Sequence, residues 1–199
     1  MEIAPNFTDS QWKKLTFKNE RDWIRGVAAL RRRLEHRFIK PARNLLRLKR
    51  SGFAVLALDC LLIETLQQFR EGVAQTPQVT KPNGRRVLAS EDYFVAFLTS
   101  QYFGPGCNQH LAKLFYQTIR CGILHQAEVK ESSLVRRDRP LISLSPDQKG
   151  VVVNPVLFHR SVEAAFQKYL VDLRNRAELD LRKRFRHKMN HIARVKAGV

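Results

Sequence analysis

The chain has 199 residues, of which 44% are hydrophobic, so it can bury a sizeable core and is not expected to be disordered throughout. Its 36 basic and 18 acidic residues give a net charge of +18. The excess lies at both ends, with net +9 in residues 1–50, +2 in residues 51–150 and +7 in residues 151–199. This asymmetry favours a polyanionic partner, most commonly nucleic acid, over a surface that is only solubilising.

The cysteines and the apolar segments exclude two classes of protein. Cys60, Cys107 and Cys121 are odd in number and form no CxxC spacing, so neither a disulfide framework nor a zinc cluster is predicted. The longest apolar run, residues 53–63, is too short to span a bilayer, and the first residues carry no signal-peptide core. We therefore expect a soluble, cytoplasmic protein that needs no cofactor and binds no membrane.

The first 50 residues are predicted to form a basic N-terminal helical region. Between residues 19 and 40, apolar side chains recur every three or four positions, as in an amphipathic helix with arginines on its other face. The apolar positions are Trp23, Val27, Leu30, Leu34 and Phe38. Pro41 is expected to bend or end this helix.

A helical-bundle core is predicted for residues 51–175. Residues 53–69 are apolar nearly all round and predict a buried central helix, for which Gly72 is a suitable end. Residues 77–88 predict a basic loop in which Arg85 and Arg86 either contact nucleic acid or are simply solvated. Ser90 is a favourable start for the next helix, and Asn108 for the one that follows.

The last third changes in character before it returns to helix. Residues 141–153 alternate in a way that predicts one short β-hairpin in an otherwise mainly α chain. Asn154 and Pro155 then open a further helix. Residues 176–199 predict a basic helical extension, and its cations are candidate nucleic-acid contacts. The residues singled out there are Arg182, Lys183, Arg184 and Arg186.

Arg120 and His125 are the candidate catalytic residues, with four residues between them. The same spacing occurs in three other pairs within strongly basic runs, so spacing alone carries little information. Arg120 differs because its neighbours predict an apolar helix face, where a guanidinium needs a partner or a ligand. The alternative is structural: Arg120 bridges to a carboxylate, and His125 marks the helix end, where a cation is favoured.

Two acidic residues of the predicted central helix are candidates to support this site. Asp59 falls among apolar positions of the helical wheel, where an ionised carboxylate has no local partner, whereas Glu64 falls on a more polar edge. We therefore expect Asp59, rather than Glu64, to pair with Arg120 or with another interior cation. An equally open alternative is that Asp59 bonds to backbone groups or faces a subunit contact.

The segment FYQTIRCGILHQAE, residues 115–128, resembles the HEPN superfamily of small helical-bundle proteins. The resemblance covers mainly residues 53–128 and implies a HEPN-like helical bundle that forms a homodimer, with Arg and His of both subunits meeting at the interface. Active members cut RNA without a metal, and many act as toxins or in defence against phage. Cys121 stands where active members often carry a polar residue.

The resemblance implies an RNA-binding protein and a metal-independent endoribonuclease. Arg120 would hold the scissile phosphate, and His125 would act as general acid or base around attack by the 2′-hydroxyl. Two residues five positions apart on an ideal α-helix diverge by about 140°, so convergence needs a bent Arg stem or a second subunit. A non-catalytic HEPN-fold module that binds nucleic acid or another protein is the alternative.

Overall fold

Helices account for most of the chain, so the expectation of a mainly α protein is confirmed. The computed structural model describes residues 1–104 and 107–195. The last four residues of the predicted C-terminal extension therefore lie outside the described part.

The N-terminal region begins with two short strands and then becomes helical. Strands β1 (Glu2–Ala4) and β2 (Phe7–Thr8) pair antiparallel and lead into helix α1 (Asp9–Lys13). Helix α2 (Glu20–Leu34) starts at an Asn19 cap and confirms the predicted amphipathic helix. It runs through a π-helical segment (Glu35–Ile39) into α3 (Lys40–Leu46). The chain stays helical past Pro41, which is the second residue after the π-helical segment. The Lys40 N–H there donates to the Glu35 carbonyl oxygen, five residues back, so the regular α-helical pattern that a proline disrupts is already interrupted at this point.

Helix α4 (Gly52–Glu71) is the predicted central helix. It packs against α3 and against four later helices, α5 (Ser90–Leu98), α7 (Cys121–Gln126), α8 (Pro155–Asp172) and α9 (Leu179–Ile192). In length and composition α4 could cross a membrane, but 56% of its most apolar window is buried inside the protein. Gly72 ends the helix in the left-handed conformation, at φ 71°, which confirms the predicted stop.

The segment expected to be a basic loop is a β-hairpin instead. Strands β3 (Gln78–Thr80) and β4 (Arg86–Leu88) pair antiparallel in full register. The turn places Gly84 at φ 77°, and its N–H donates to the Lys81 carbonyl oxygen. The prediction was wrong because most of the strand residues are exposed, so no apolar alternation marks them.

The segment with Arg120 and His125 is a helix whose hydrogen-bonding pattern changes twice. After α5 (Ser90–Leu98), helix α6 (Gln109–Leu114) starts at the predicted Asn108 cap, whose side chain accepts from the Leu111 N–H. It continues as a π-helical segment (Phe115–Arg120) and then as α7 (Cys121–Gln126).

The C-terminal third combines a small sheet with two helices. The predicted hairpin is confirmed as β6 (Ile142–Leu144) paired antiparallel with β7 (Val151–Val153), and β5 (Leu134–Val135) adds an unexpected parallel strand. Helices α8 (Pro155–Asp172) and α9 (Leu179–Ile192) follow. Trp12 of α1 and Phe185 of α9 are buried in the same core as α4. The division into basic ends and a separate core stays a prediction.

Candidate functional site

Arg120 is the last residue of the π-helical segment, directly before α7. A π-helical turn contains more residues than an α-helical one, so it rotates the side chains that follow relative to the α-helical faces before it. Here the N–H of Cys121 donates to the carbonyl oxygen of Tyr116, five residues back. Such segments occur often at functional sites, where they aim a side chain that a regular helix would point elsewhere.

The chain folds back over α7 immediately after His125. Ala127 adopts a left-handed conformation, at φ 56°, and the N–H of Lys130 donates to the Thr118 carbonyl oxygen. A Cβ atom built on Gly122 would lie 2.3 Å from the Glu128 carbonyl oxygen. Glycine is therefore required at position 122 by the returning chain, which explains its place inside the motif.

The partner of Arg120 is Glu64, not Asp59. An Nη2 nitrogen of Arg120 donates to Oε2 of Glu64 at 3.2 Å, and the two side chains are only 15% and 18% exposed. Asp59 does not pair with Arg120; it pairs with another interior basic group, His159, which is the other outcome expected for it. Glu64 lies on the edge of α4 that faces α7, whereas Asp59, five residues earlier, points into a different part of the core.

Glu64 is held from its other side by hydroxyl groups. Its Oε1 atom accepts hydrogen bonds from Thr76 at 2.7 Å and from Ser90 at 3.1 Å. Thr76 also accepts from Nε2 of Gln68 at 2.9 Å. With both carboxylate oxygens bonded, Glu64 is fixed in orientation and presents a fixed negative charge to Arg120.

Two aromatic rings flank the Arg120 guanidinium. Its central carbon lies 5.4 Å from the ring centre of Tyr116 and 5.9 Å from that of Phe94, within cation–π range. Burial alone would lower the pKa of Arg120, but the oxygens of Tyr116 and Glu64 more than offset it and raise this pKa. Arg120 is therefore a fixed cation at all working pH values.

Arg120 and His125 come together within one chain. Nη1 of Arg120 lies 3.4 Å from Nε2 of His125, which shows that the long Arg stem bridges the angular separation of the two positions. His125 is exposed, whereas Arg120 is mostly covered. A solvent-facing imidazole beside a half-buried cation that is anchored by a carboxylate can exchange protons with a bound anion.

Asp59 forms a separate buried pair with His159 of α8. Oδ1 of Asp59 lies 2.7 Å from Nδ1 of His159, and both side chains are 1% exposed. Burial raises the pKa of Asp59, although the hydrogen bond and charge of His159 oppose the shift. The pair is remote from solvent, so it links α4 to α8 and lacks access to a substrate.

The predicted nucleic-acid contacts divide into exposed and buried residues. Arg85 and Arg86 are exposed in the β3–β4 hairpin, and three cations of α9 are exposed as well: Lys183, Arg184 and Arg186. The prediction that Arg182 contacts nucleic acid is wrong, because its side chain is only 7% exposed and pairs with Glu20 at 3.0 Å. It also donates to the carbonyl oxygens of Leu173 and Arg174, so it ties α9 to the end of α8 instead of facing a ligand.

The sequence did not predict which residues surround Glu64. Thr76, Ser90 and Tyr116 lie on three different segments, and no local pattern marks them as neighbours. Gln68 was the one available signal, because it follows Glu64 by four residues and therefore shares its helix face. Within residues 1–104 and 107–195, no group of three or more His, Cys, Asp or Glu side chains is placed to hold a metal ion.

Comparison of the chain with protein-family models, with curated proteins and with solved structures finds no significant match.

Proposed function

We propose that this chain is a HEPN-like, RNA-binding, cytoplasmic protein that cuts RNA without a metal and acts in toxin or anti-phage defence. The observation that carries the proposal is the contact between Arg120 and the exposed His125, backed by Glu64. A half-buried cation fixed next to a solvent-facing imidazole supplies both functions that phosphodiester cleavage needs, charge neutralisation and proton transfer. The defence role rests on the family resemblance alone.

In the proposed reaction the 2′-hydroxyl oxygen attacks the adjacent phosphorus, and the bond from phosphorus to the 5′-oxygen breaks. One His125 accepts the hydroxyl proton, and the His125 of a second copy, carrying a proton, delivers it to the leaving 5′-oxygen. Arg120 neutralises the charge that builds on the phosphate oxygens. Glu64 touches no reacting atom in this scheme and acts as a positioning residue for Arg120.

The outer face of α4 supports a homodimer next to this site. Leu61 is 45% exposed and lies three residues before Glu64, so the two share one face of the helix. Phe53 is 38% exposed two turns earlier, beside an exposed Ala54. Contact between two copies through this apolar strip would bring their Arg120 and His125 residues near each other.

The β3–β4 hairpin supports RNA binding at the same place. Thr76 lies just before the hairpin and Ser90 just after it, and both bond to Glu64. The basic tip with Arg85 and Arg86 is therefore anchored at its base on the proposed site. From this position, Arg85 and Arg86 would bind the RNA backbone while Arg120 binds one phosphate.

A non-catalytic module that binds nucleic acid or protein is the second candidate. One observation favours it: Arg120 is mostly covered and its charge is already matched by Glu64. In that case the pair only fastens α7 to α4, and the exposed cations of the hairpin and α9 carry the binding.

The two candidates are separated by an RNA-cleavage assay in EDTA that compares the native chain with His125→Ala. We expect cleavage to fall by roughly 10²–10⁴-fold, the usual contribution of a general acid or base, with RNA affinity nearly unchanged. His110→Ala is the matched control, because His110 is also exposed and lies at the start of α6. Undiminished cleavage by His125→Ala, or equal loss in His110→Ala, would reject the catalytic assignment.

A further inference from the structure

A cationic cleft lies where the N-terminal strand, the α2 end and the last helix meet. It has a volume of about 540 Å³ and is lined by side chains of β1, α2, the first π-helical segment and the end of α9. The charged groups and the imidazole facing it are Glu2, Arg33, Arg37, Lys188, His191 and Arg194.

The cleft gathers four basic side chains, Arg33, Arg37, Lys188 and Arg194, around one carboxylate, that of Glu2. In the part of the chain that the structure describes, none of the four forms an ion pair, whereas Glu2 accepts a backbone N–H from Asn6 at 2.7 Å. Arg33 donates to the Ile3 carbonyl oxygen, and Lys188 to Oε1 of Gln68 at 2.8 Å. These neutral acceptors satisfy hydrogen bonds but leave the positive charge uncompensated.

Burial distinguishes this cleft from an ordinary solvated basic face. Lys188 is only 6% exposed, whereas Lys183 on the same helix is exposed to solvent. Burial lowers the pKa of Lys188 to about 8, and the charge of Arg33 adds to the shift. Burial likewise lowers the pKa of Arg33 to about 10, with a further contribution from Arg37. Arg33 and Lys188 therefore repel each other where burial limits screening by water, and a bound anion would relieve that repulsion.

We propose that this cleft binds a ligand carrying adjacent phosphate groups, such as the diphosphate part of a nucleotide. The volume of the cleft falls in the range of small-molecule sites. Arginine forks match phosphate oxygens in pairs, and the lysine adds a point charge. The same chemistry is offered by a free diphosphate and by the phosphorylated end of an RNA strand. The proposal does not depend on the cleavage proposed above.

The test is isothermal titration of the full chain with inorganic pyrophosphate at moderate salt. We expect one binding site per chain and a dissociation constant of about 1 mM or lower, which corresponds to a modest but specific site. Arg37→Gln should weaken binding by roughly tenfold, about one charge-assisted phosphate contact. Arg37 is exposed and makes no hydrogen bond among the described residues, so this variant should fold as the native chain does.

Arg160→Gln is the matched control, because Arg160 is an exposed arginine of α8 that does not line the cleft. Lys188→Met is a second variant that removes the buried charge and keeps the length of the stem, with its folding checked by thermal melting. No pyrophosphate binding, or equal weakening by Arg37→Gln and Arg160→Gln, would overturn the proposal.

Competition then identifies the source of the phosphate groups. The His125→Ala chain with bound pyrophosphate is titrated with a short RNA bearing a 5′-triphosphate and with the same RNA bearing a 5′-hydroxyl. Displacement by the triphosphate strand alone assigns the cleft to RNA ends, and displacement by neither assigns it to a free small molecule. Displacement by both strands equally would mean that the cleft is part of a non-specific RNA surface, which contradicts the proposal.

Discussion

Helix α4 contributes two carboxylates, and the protein uses them in opposite ways. Asp59 and Glu64 lie five residues apart, and each bonds to a basic side chain of a later helix. Asp59 and His159 are both 1% exposed, and among the described residues Oδ2 of Asp59 and Nε2 of His159 have no hydrogen-bond partner. Both carboxylate oxygens of Glu64 are hydrogen-bonded. Its partner Arg120 contacts His125, which is exposed to solvent.

The difference in burial between these two pairs distinguishes a pair that only stabilises the fold from one that could take part in a reaction. A buried carboxylate–imidazole pair holds two helices together but has no route for a substrate or for proton exchange with solvent. A carboxylate at the edge of the core can fix a cation while the cation's neighbour remains accessible. The two pairs therefore predict different responses to the loss of the carboxylate.

The largest expected effect is on stability, from Asp59→Ala. Removing this carboxylate leaves a buried His159 nitrogen without its hydrogen-bond partner, which typically costs about 1–3 kcal/mol of folding free energy, and the cavity left behind adds to the loss. Urea unfolding followed by circular dichroism measures the change. Asp92→Ala on the exposed side of α5 is the control and should change stability by less than about 0.5 kcal/mol. A loss at Asp59 no larger than that of the control would show that the buried pair does not hold α4 to α8.

Glu64→Gln should lower RNA cleavage strongly and stability only slightly. The amide keeps the size of the side chain and can still bond to a hydroxyl, but it no longer offers Arg120 a negative charge. We expect RNA cleavage to fall by roughly 10–100-fold, as for residues that orient a functional group, with stability lowered by about 1 kcal/mol or less. The change should appear in kcat more than in KM, because Glu64 does not contact the RNA in the proposed scheme.

Glu71→Gln is the matched control for that variant, because Glu71 is an exposed glutamate at the end of the same helix. Full activity in Glu64→Gln would separate Glu64 from the site and leave only its structural contact with Arg120.

The smallest expected effect is a difference in pH dependence. The pKa of Asp59 is raised above its ordinary value by burial, so the folded chain keeps a proton on this carboxyl where the unfolded chain has lost it. The contribution of that proton to stability is full at low pH and is lost as pH rises through the folded pKa. One group changes the slope by at most about 1.4 kcal/mol per pH unit.

Urea unfolding of the native chain and of Asp59→Asn, from acid to neutral pH, isolates this contribution as the difference between the two curves. The native chain should lose stability relative to Asp59→Asn as pH rises above the ordinary Asp range. A constant difference between the curves would show that Asp59 does not titrate differently in the folded chain.

The elements with strong periodicity could be predicted from the sequence. The central helix, the Asn108 cap and the 141–153 hairpin follow from local patterns, and Gly72 ends its helix as its backbone freedom allows. The β3–β4 hairpin could not be predicted, because exposed strands need no apolar alternation. The π-helical segments were also invisible, since one additional residue in a turn leaves little mark on composition.

The candidate site was predicted in part. The apolar neighbours of Arg120 indicated that this residue needs a partner. The sequence could not show whether that partner is Asp59 or Glu64, because a helical wheel indicates burial but not which side chain of another helix lies opposite. Asp59 was expected to need an interior partner, and that partner is His159, a hundred residues away. Arg182 was misassigned for the same reason: a run of cations does not show which one turns inward.

The most direct test of the central claim is the chemistry of the RNA ends made by the native chain in EDTA. If Arg120 and His125 direct attack by the 2′-hydroxyl, the products should carry a 2′,3′-cyclic phosphate and a 5′-hydroxyl, and DNA of the same sequence should stay intact. Cleavage of the matched DNA, RNA products that carry a 5′-phosphate, or the absence of any cleavage would contradict the account.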